Sequence, residues 1–286
     1  MAIPLPNHQS VQAVRDERMT ANRMERKYLV ERAAAGALQR RLDQHLSRHT
    51  HSERELPGAQ LYATTVYFDT RSRHLFRQAT SADEGVKLRA REYYAIDPSM
   101  VQLARRPEEL VRFDRVLWFE LKYRQRGHVQ KRRFGIPKPD VPGFLSDGRI
   151  TVEMVDVQAR DYGEKARRVL REASGLCQHY GEPFGVDCLV NYRRVAWQDA
   201  AGTLRVTLDR DLRAYRAPDD LWTRQFALSA EALGQPSGVF GKAILEIKSR
   251  GPLPVWIDDA LSSVGAESSD FSKFVTASRS VHSGTE

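Results

Sequence analysis

Six segments of the chain alternate with a period of two: "LYATTVYFDT" (61–70), "GVKLRAREYY" (85–94), "VLWFELKYRQ" (116–125), "LVNYRRVAWQ" (189–198), "LRVTLDRDLRAY" (204–215) and "KAILEIKSRG" (242–251). Each is bounded by Gly, Pro or Asp, which marks strands rather than helices. Long helices do not separate them regularly, so hairpins and an antiparallel sheet are expected, not a doubly wound parallel one. "RMERKYLV" (23–30) reads as an opening strand of the same kind. Helices belong at the flanks. "ERAAAGALQRRLDQHLSR" (31–48) repeats Ala34, Leu38, Leu42 and Leu46 at helical spacing. "DVQARDYGEKARRVLREAS" (156–174) reads as a second helix ending near Gly175, and "SSDFSKFVTASRSV" (268–281) as a third with Ser269 or Asp270 at its N-cap.

Residues two apart in a strand share a face, so the charges can be sorted. Glu25 and Lys27 share one face of the opening strand, and Lys87, Arg89 and Arg91 one face of the third segment quoted in chain order. Glu120, Lys122 and Arg124 lie opposite Phe119, Leu121 and Tyr123, and Glu246 and Lys248 opposite Ala243, Leu245 and Ile247. An ordinary sheet with a solvated outer face explains any one of these. Their repetition, nearly all of one sign, does not fit it: a solvated face mixes signs, and like charges aligned across strands destabilise a sheet unless something anionic lies among them. A barrel that turns these faces inward is a basic channel with a few carboxylates.

Composition sets the bounds. At 286 residues and 41% hydrophobic the chain can bury a substantial core as one large domain, expected over 23–280 between a flexible leader at 1–22 and a disordered tail at 281–286. The net charge of +8 favours anionic partners without ranking them. Two cysteines, Cys177 and Cys188, make neither a disulfide framework nor a metal clip. No apolar run reaches the length that crosses a bilayer and no signal peptide opens the chain, so the expected address is cytoplasmic, with peripheral contact at the inner face of a membrane left open.

A basic channel with sparse carboxylates suits a polyphosphate chain and a divalent ion. Arg forks hold phosphate oxygens, Lys adds point charges, and carboxylates are the hard ligands of Mg2+ or Mn2+. Phosphoryl transfer needs little covalent chemistry from protein, so the lack of an obvious nucleophile is no objection.

The ordered motifs "RMERKYLV", "TTVYFDT", "VKLRAREYY", "FELKYR", "KRRFGI", "YRRVAW", "RVTLDRDL", "ILEIK" and "DFSKFV" resemble the polyphosphate polymerase domain of the vacuolar transporter chaperone (VTC) proteins, in the triphosphate tunnel metalloenzyme superfamily. The resemblance implies an α+β fold, an antiparallel β-barrel tunnel of about eight strands with flanking helices. It implies transfer of the terminal phosphate of ATP to a growing polyphosphate chain with Mn2+ or Mg2+. Carried onto this sequence, it makes Lys27, Arg89, Arg91 and Arg194 the catalytic candidates, with Arg193 the alternative to Arg194. Lys87, Lys122, Lys131, Arg133, Lys248 and Lys273 become phosphate-binding candidates, and Glu246, with Glu120 and Glu25, the metal ligands. Arg23 stands where the adenylate cyclase and thiamine triphosphatase branch opens with Glu, which favours the polymerase branch. The inositol-phosphate-sensing domain and membrane segments of fungal members are not seen, so regulation and translocation are not carried over; a membrane-protein partner stays open, as does the oligomeric state.

Other readings rank lower. "KYRQRGHVQKRR" (122–133) is basic enough for nucleic acid, but it divides at Arg126-Gly127 into a hairpin, and Glu120 would oppose a phosphate backbone unless a metal intervened. His45, His49, His51 and Glu53 lie where a helix ends, with no second ligand cluster, and are read as surface rather than zinc. Two alternatives to the polymerase remain: a non-catalytic polyphosphate- or triphosphate-binding module, and a triphosphate hydrolase in the same tunnel.

Overall fold

The structure is a computed structural model, which describes residues 24–49, 61–81, 85–94, 116–125, 128–161, 163–218, 221 and 233–283. The expected leader, Arg23, His51, Glu53 and the last three residues lie outside these. Eight long strands carry the architecture: β1 (Met24–Glu31), β3 (Leu61–Thr70), β4 (Gly85–Tyr94), β5 (Val116–Gln125), β6 (His128–Pro137), β7 (Phe184–Gln198), β8 (Leu204–Tyr215) and β10 (Lys242–Ser249). Three two-residue strands, β2 (Ser47–Arg48), β9 (Gly238–Val239) and β11 (Glu267–Ser268), add to them. All the pairings are antiparallel, in the order β11-β1-β10-β8-β7-β3-β4-β5-β6. Pairing of Gln125 with His128 makes β5 and β6 the hairpin expected around Arg126-Gly127.

The sheet curls until its two ends face one another. Glu25 of β1 stands 3.9 Å from Lys122 of β5, although β10, β8, β7, β3 and β4 lie between those strands in the sheet. The tunnel is closed by side chains: among the described residues no strand pairing joins β1 or β11 to β6. Each edge is instead covered locally, as exposed edges require. β11 pairs with Tyr28 and Leu29 on the free side of β1, and the Ser269 N–H donates to the Lys27 carbonyl. On β6, the side-chain amide of fully buried Gln158 accepts from the Gly135 N–H and donates to the Gly135 carbonyl.

Helices pack the convex face in two groups. Helix α1 (Ala35–His45) buries Ala35, Leu38 and Leu42, and with α6 (Val255–Ser263) covers Val195, Trp197, Val206, Leu208, Leu245 and Ile247. Helices α3 (Val141–Asp147), α4 (Val152–Asp161) and α5 (Gly163–His179) cover the β3–β6 side, where Phe68, Phe119, Phe134 and Phe144 form one aromatic core. The single helix expected over 156–174 is thus two, broken where Gly163 takes a left-handed φ of 65° that glycine adopts without strain. Cys177 and Cys188 are buried free thiols.

Two further helices meet the concave side. Asp69, at the end of β3, accepts backbone N–H bonds from Thr70, Leu75 and Phe76 (2.8, 2.9 and 2.7 Å) and so fixes the start of α2 (His74–Ser81). Helix α7 (Lys273–His282) is capped by Ser272, whose Oγ accepts from the Val275 N–H, three residues beyond the first expected cap. It runs to His282, past the boundary expected at 280. Its Phe274 stacks on Tyr67 of β3 (5.1 Å between centroids), so the helix fills part of the concavity with its first turn toward the charged rows.

Candidate functional site

Strand register converts the charged faces into one surface. Lys87 lies opposite Lys122 and Lys122 opposite Lys131; Arg89 lies opposite Glu120 and Glu120 opposite Arg133. Around the other limb, Glu25 pairs with Lys248, Lys27 with Glu246, and Arg194 with Asp209. Tyr67 and Thr65 sit beside Arg89 and Arg91 on the same face. All thirteen residues singled out from the sequence therefore share the concave side, Lys273 arriving from α7. Of the two adjacent arginines, Arg194 points inward. Arg193 points outward to Asp211, a residue whose φ of 54° at a bulge in β8 turns it off the face that Asp209 occupies.

Three carboxylates neutralise the cations unevenly. Glu120 is gripped by Arg89, whose Nε donates to Oε1 at 2.9 Å, and by Lys131 and Arg133, both 3.3 Å from Oε2. Burial pushes its carboxyl up, but Arg89, Lys131 and Arg133 outweigh that and hold it well below the usual range. Asp209, with no exposure, receives Arg194 bidentately (2.6 and 2.8 Å) and the Lys273 ammonium at 2.6 Å. Burial again opposes ionisation, yet Arg194 and Lys273 bring it to about 2. Glu246 pairs with Lys248; burial raises its pKa, while Lys248, Arg194 and Lys122 hold it well below the ordinary value.

The remaining cations repel each other. Burial, then Lys122, Lys27, Arg89 and Arg124, push the Lys87 ammonium down to about 7, though its Nζ donates to Ser272 Oγ at 2.9 Å. At Lys131, Glu120 favours the charged form, but burial, Lys248, Arg133 and Arg89 outweigh it and leave the group at about 8. Tyr192 has Arg194, Lys273 and Arg91 at 5.3, 5.1 and 5.9 Å from its ring centroid. Its buried hydroxyl has no hydrogen-bond partner among the described residues, nor has the Thr207 hydroxyl beside Glu246. A buried hydroxyl left without a partner is costly.

Asp209, Tyr192, Thr65 and Thr207 were not singled out from the sequence. Tyr192 stands two residues from Arg194, a position with a clear signal. Face-sorting of "LVNYRRVAWQ" would have put Tyr192 with Arg194, whereas the bulge hides which Asp of "LDRD" faces inward.

A model of the VTC domain matches residues 22–282. The chain belongs to the VTC domain family. No curated protein matches it. Among solved structures, one that is similar to this VTC domain is described as a putative adenylate cyclase from Bacillus halodurans, with 14% identity, 89% of this chain and 97% of that chain covered, and a TM-score of 0.47. No helix among the described residues is long and apolar enough to cross a membrane.

The donor set of the VTC domain can be tested against a divalent cation. Glu120, expected as a metal ligand, fits poorly, because its oxygens are in contact with three cations. Glu25 fits, and Glu246 fits through the oxygen that Lys248 leaves, since the pair runs through Oε1 alone. Both flank the Lys248 ammonium, and Glu25 holds Lys27, Lys122 and Lys248 only at 3.8–3.9 Å, beyond hydrogen-bond distance, which leaves its oxygens open. Among the described residues no group of three or more His, Cys, Asp or Glu is placed to hold a metal ion. Two carboxylates are nonetheless the usual protein share of a Mg2+-type site, where phosphate oxygens and water complete the shell.

Proposed function

We propose that the tunnel is a divalent-metal-dependent polyphosphate polymerase, which moves the terminal phosphate of ATP onto a growing polyphosphate chain. The observation that carries this reading is the concave surface to which six strands and α7 contribute Lys or Arg, in which cations outnumber carboxylates and three of them stand by the ring of Tyr192. Membership of the VTC family supports the polyphosphate chemistry over other anions.

In this reading Arg89, Arg91, Arg194 and Lys27 align the triphosphate, and Lys87, Lys122, Lys131, Arg133, Lys248 and Lys273 hold the rest of the phosphate chain. A terminal oxygen of the acceptor chain attacks the γ-phosphorus. The bond to the β-phosphate oxygen breaks and ADP leaves with that electron pair, so no side-chain nucleophile or proton transfer is required. Arg91, held by Thr65 Oγ1 at 2.8 Å, and Arg194, held by Asp209, are pre-aimed donors for charge that builds on the transferred group. Glu246 and Glu25 would hold Mn2+ or Mg2+, which supplies neutralisation of phosphate charge.

Purified protein with ATP and Mn2+ is expected to yield an acid-stable phosphate polymer and ADP, and Glu246→Ala to lose at least a hundredfold in rate. Orthophosphate without polymer would identify a hydrolase instead. Tight tripolyphosphate binding without turnover across several metals would identify a non-catalytic module.

A further inference from the structure

Asp209 differs from the other carboxylates of the concave face in what it joins. Glu25, Glu120 and Glu246 meet cations carried by strands. Asp209 is fully buried in β8 and takes one cation from neighbouring β7, Arg194, and one from helix α7, Lys273. The other polar ties of this helix start to the charged rows are single hydrogen bonds to neutral groups: Lys27 donates to the Phe271 carbonyl at 3.3 Å, and Lys87 to the Ser272 hydroxyl at 2.9 Å.

Geometry makes the carboxylate an aiming device. Both Oδ atoms are used by Arg194, which fixes the plane of its guanidinium, and Oδ2 also takes Lys273. The two cations then stand over the same Tyr192 ring, 5.3 and 5.1 Å from its centroid. Without a charge at Asp209, Arg194 and Lys273 would repel one another at this spacing. Among the described residues no other hydrogen bond ties the Lys273 ammonium to the sheet.

We propose that Asp209 is a positioning residue, which locks Arg194 and Lys273 in register over the Tyr192 ring and so couples helix α7 to the phosphate site. This rests on the phosphate-transfer reading above for its kinetic consequence, but not for its structural one. Removing the charge has two opposed effects on anions. It frees net positive charge, which favours binding, and it releases two donors from alignment, which disfavours reaction.

The test is Asp209→Asn in the full chain, with three readouts: tripolyphosphate Kd by calorimetry, kcat with ATP and Mn2+, and hydrogen exchange of α7. Expected are a Kd within about threefold of the parent, a kcat lower by about a hundredfold, and faster exchange of α7 amides while those of β3 and β7 are unchanged. Asp209→Glu should recover part of the kcat. Unchanged kcat, or Kd and kcat falling in step with general loosening of the sheet, would overturn the proposal. Should the parent protein neither bind tripolyphosphate nor turn over ATP, the functional reading fails by itself. The exchange arm then decides: α7 amides that exchange alike in parent and variant sink the coupling.

Discussion

Glu120 shows what a single residue does in this tunnel. One carboxylate compensates Arg89, Lys131 and Arg133, which face it from three positions on β4 and β6. Replacement by Gln keeps the shape and leaves three like charges together. Losing one partner of a buried ionic group costs about 3–5 kcal/mol, and water in the tunnel brings Glu120→Gln to the lower end, about 3 kcal/mol. A thermal melt should fall by several degrees and recover with added tripolyphosphate, more than the parent gains from the same ligand. Mn2+ affinity should be unchanged in Glu120→Gln and weakened in Glu246→Gln; equal weakening in both would restore Glu120 as a ligand. In the sequence Glu120 is the odd acid in a basic run. Its chemical role was not legible, because the three cations around it belong to two neighbouring strands and only the register brings them together.

At the scale of elements, the hydrophobic period was enough for the long strands, since each is half-buried and its faces differ. It was not enough for α2, α3 and α6, which the sequence pattern did not mark. Helix α2 is started by Asp69 from the preceding strand, α3 has Pro142 and Gly143 in its first turns, and α6 is short. These helices exist because of what they pack on, not because of local propensity. Gln158 of α4 is the clearest case of an element held by a distant contact: its amide satisfies both edge groups of Gly135 on β6, where a Cβ would come within 2.8 Å of Val116 and 3.0 Å of Trp118 and Val157. Gln158→Leu would strand a buried donor and acceptor, at about 1–3 kcal/mol for each group. Hydrogen exchange should then speed at β6 and α4 with little change at β1 and β10. Uniform acceleration across the sheet would show that β6 is not separately secured.

For the whole molecule, the concentration of like charge on one concave surface makes ligand binding and protonation a single equilibrium. Lys87 and Lys131 are depressed from the ordinary lysine value to about 7 and about 8 in the empty tunnel. Between those values and about 10.5 the unfolded chain holds protons that the folded chain does not, so stability of the empty protein rises with pH across that window; below pH 7 both groups are charged in either state and their penalty is present in full. A polyanion reverses the preference, because phosphate oxygens beside Lys87 and Lys131 favour the ammonium forms. Binding of tripolyphosphate at pH 8.5 should therefore take up protons, which calorimetry reads as a heat that changes with the ionisation enthalpy of the buffer. The phosphate ligand titrates in the same range, so the diagnostic quantity is the difference between parent and Lys87→Met: the variant should take up fewer protons at pH 8.5, and the two should agree at pH 6. Affinity of the parent should weaken as pH climbs from 7 to 9.5, more steeply than in the variant. Equal proton uptake in both proteins at pH 8.5 would mean that Lys87 keeps its charge in the empty tunnel and that the cations there are screened by water rather than set against one another.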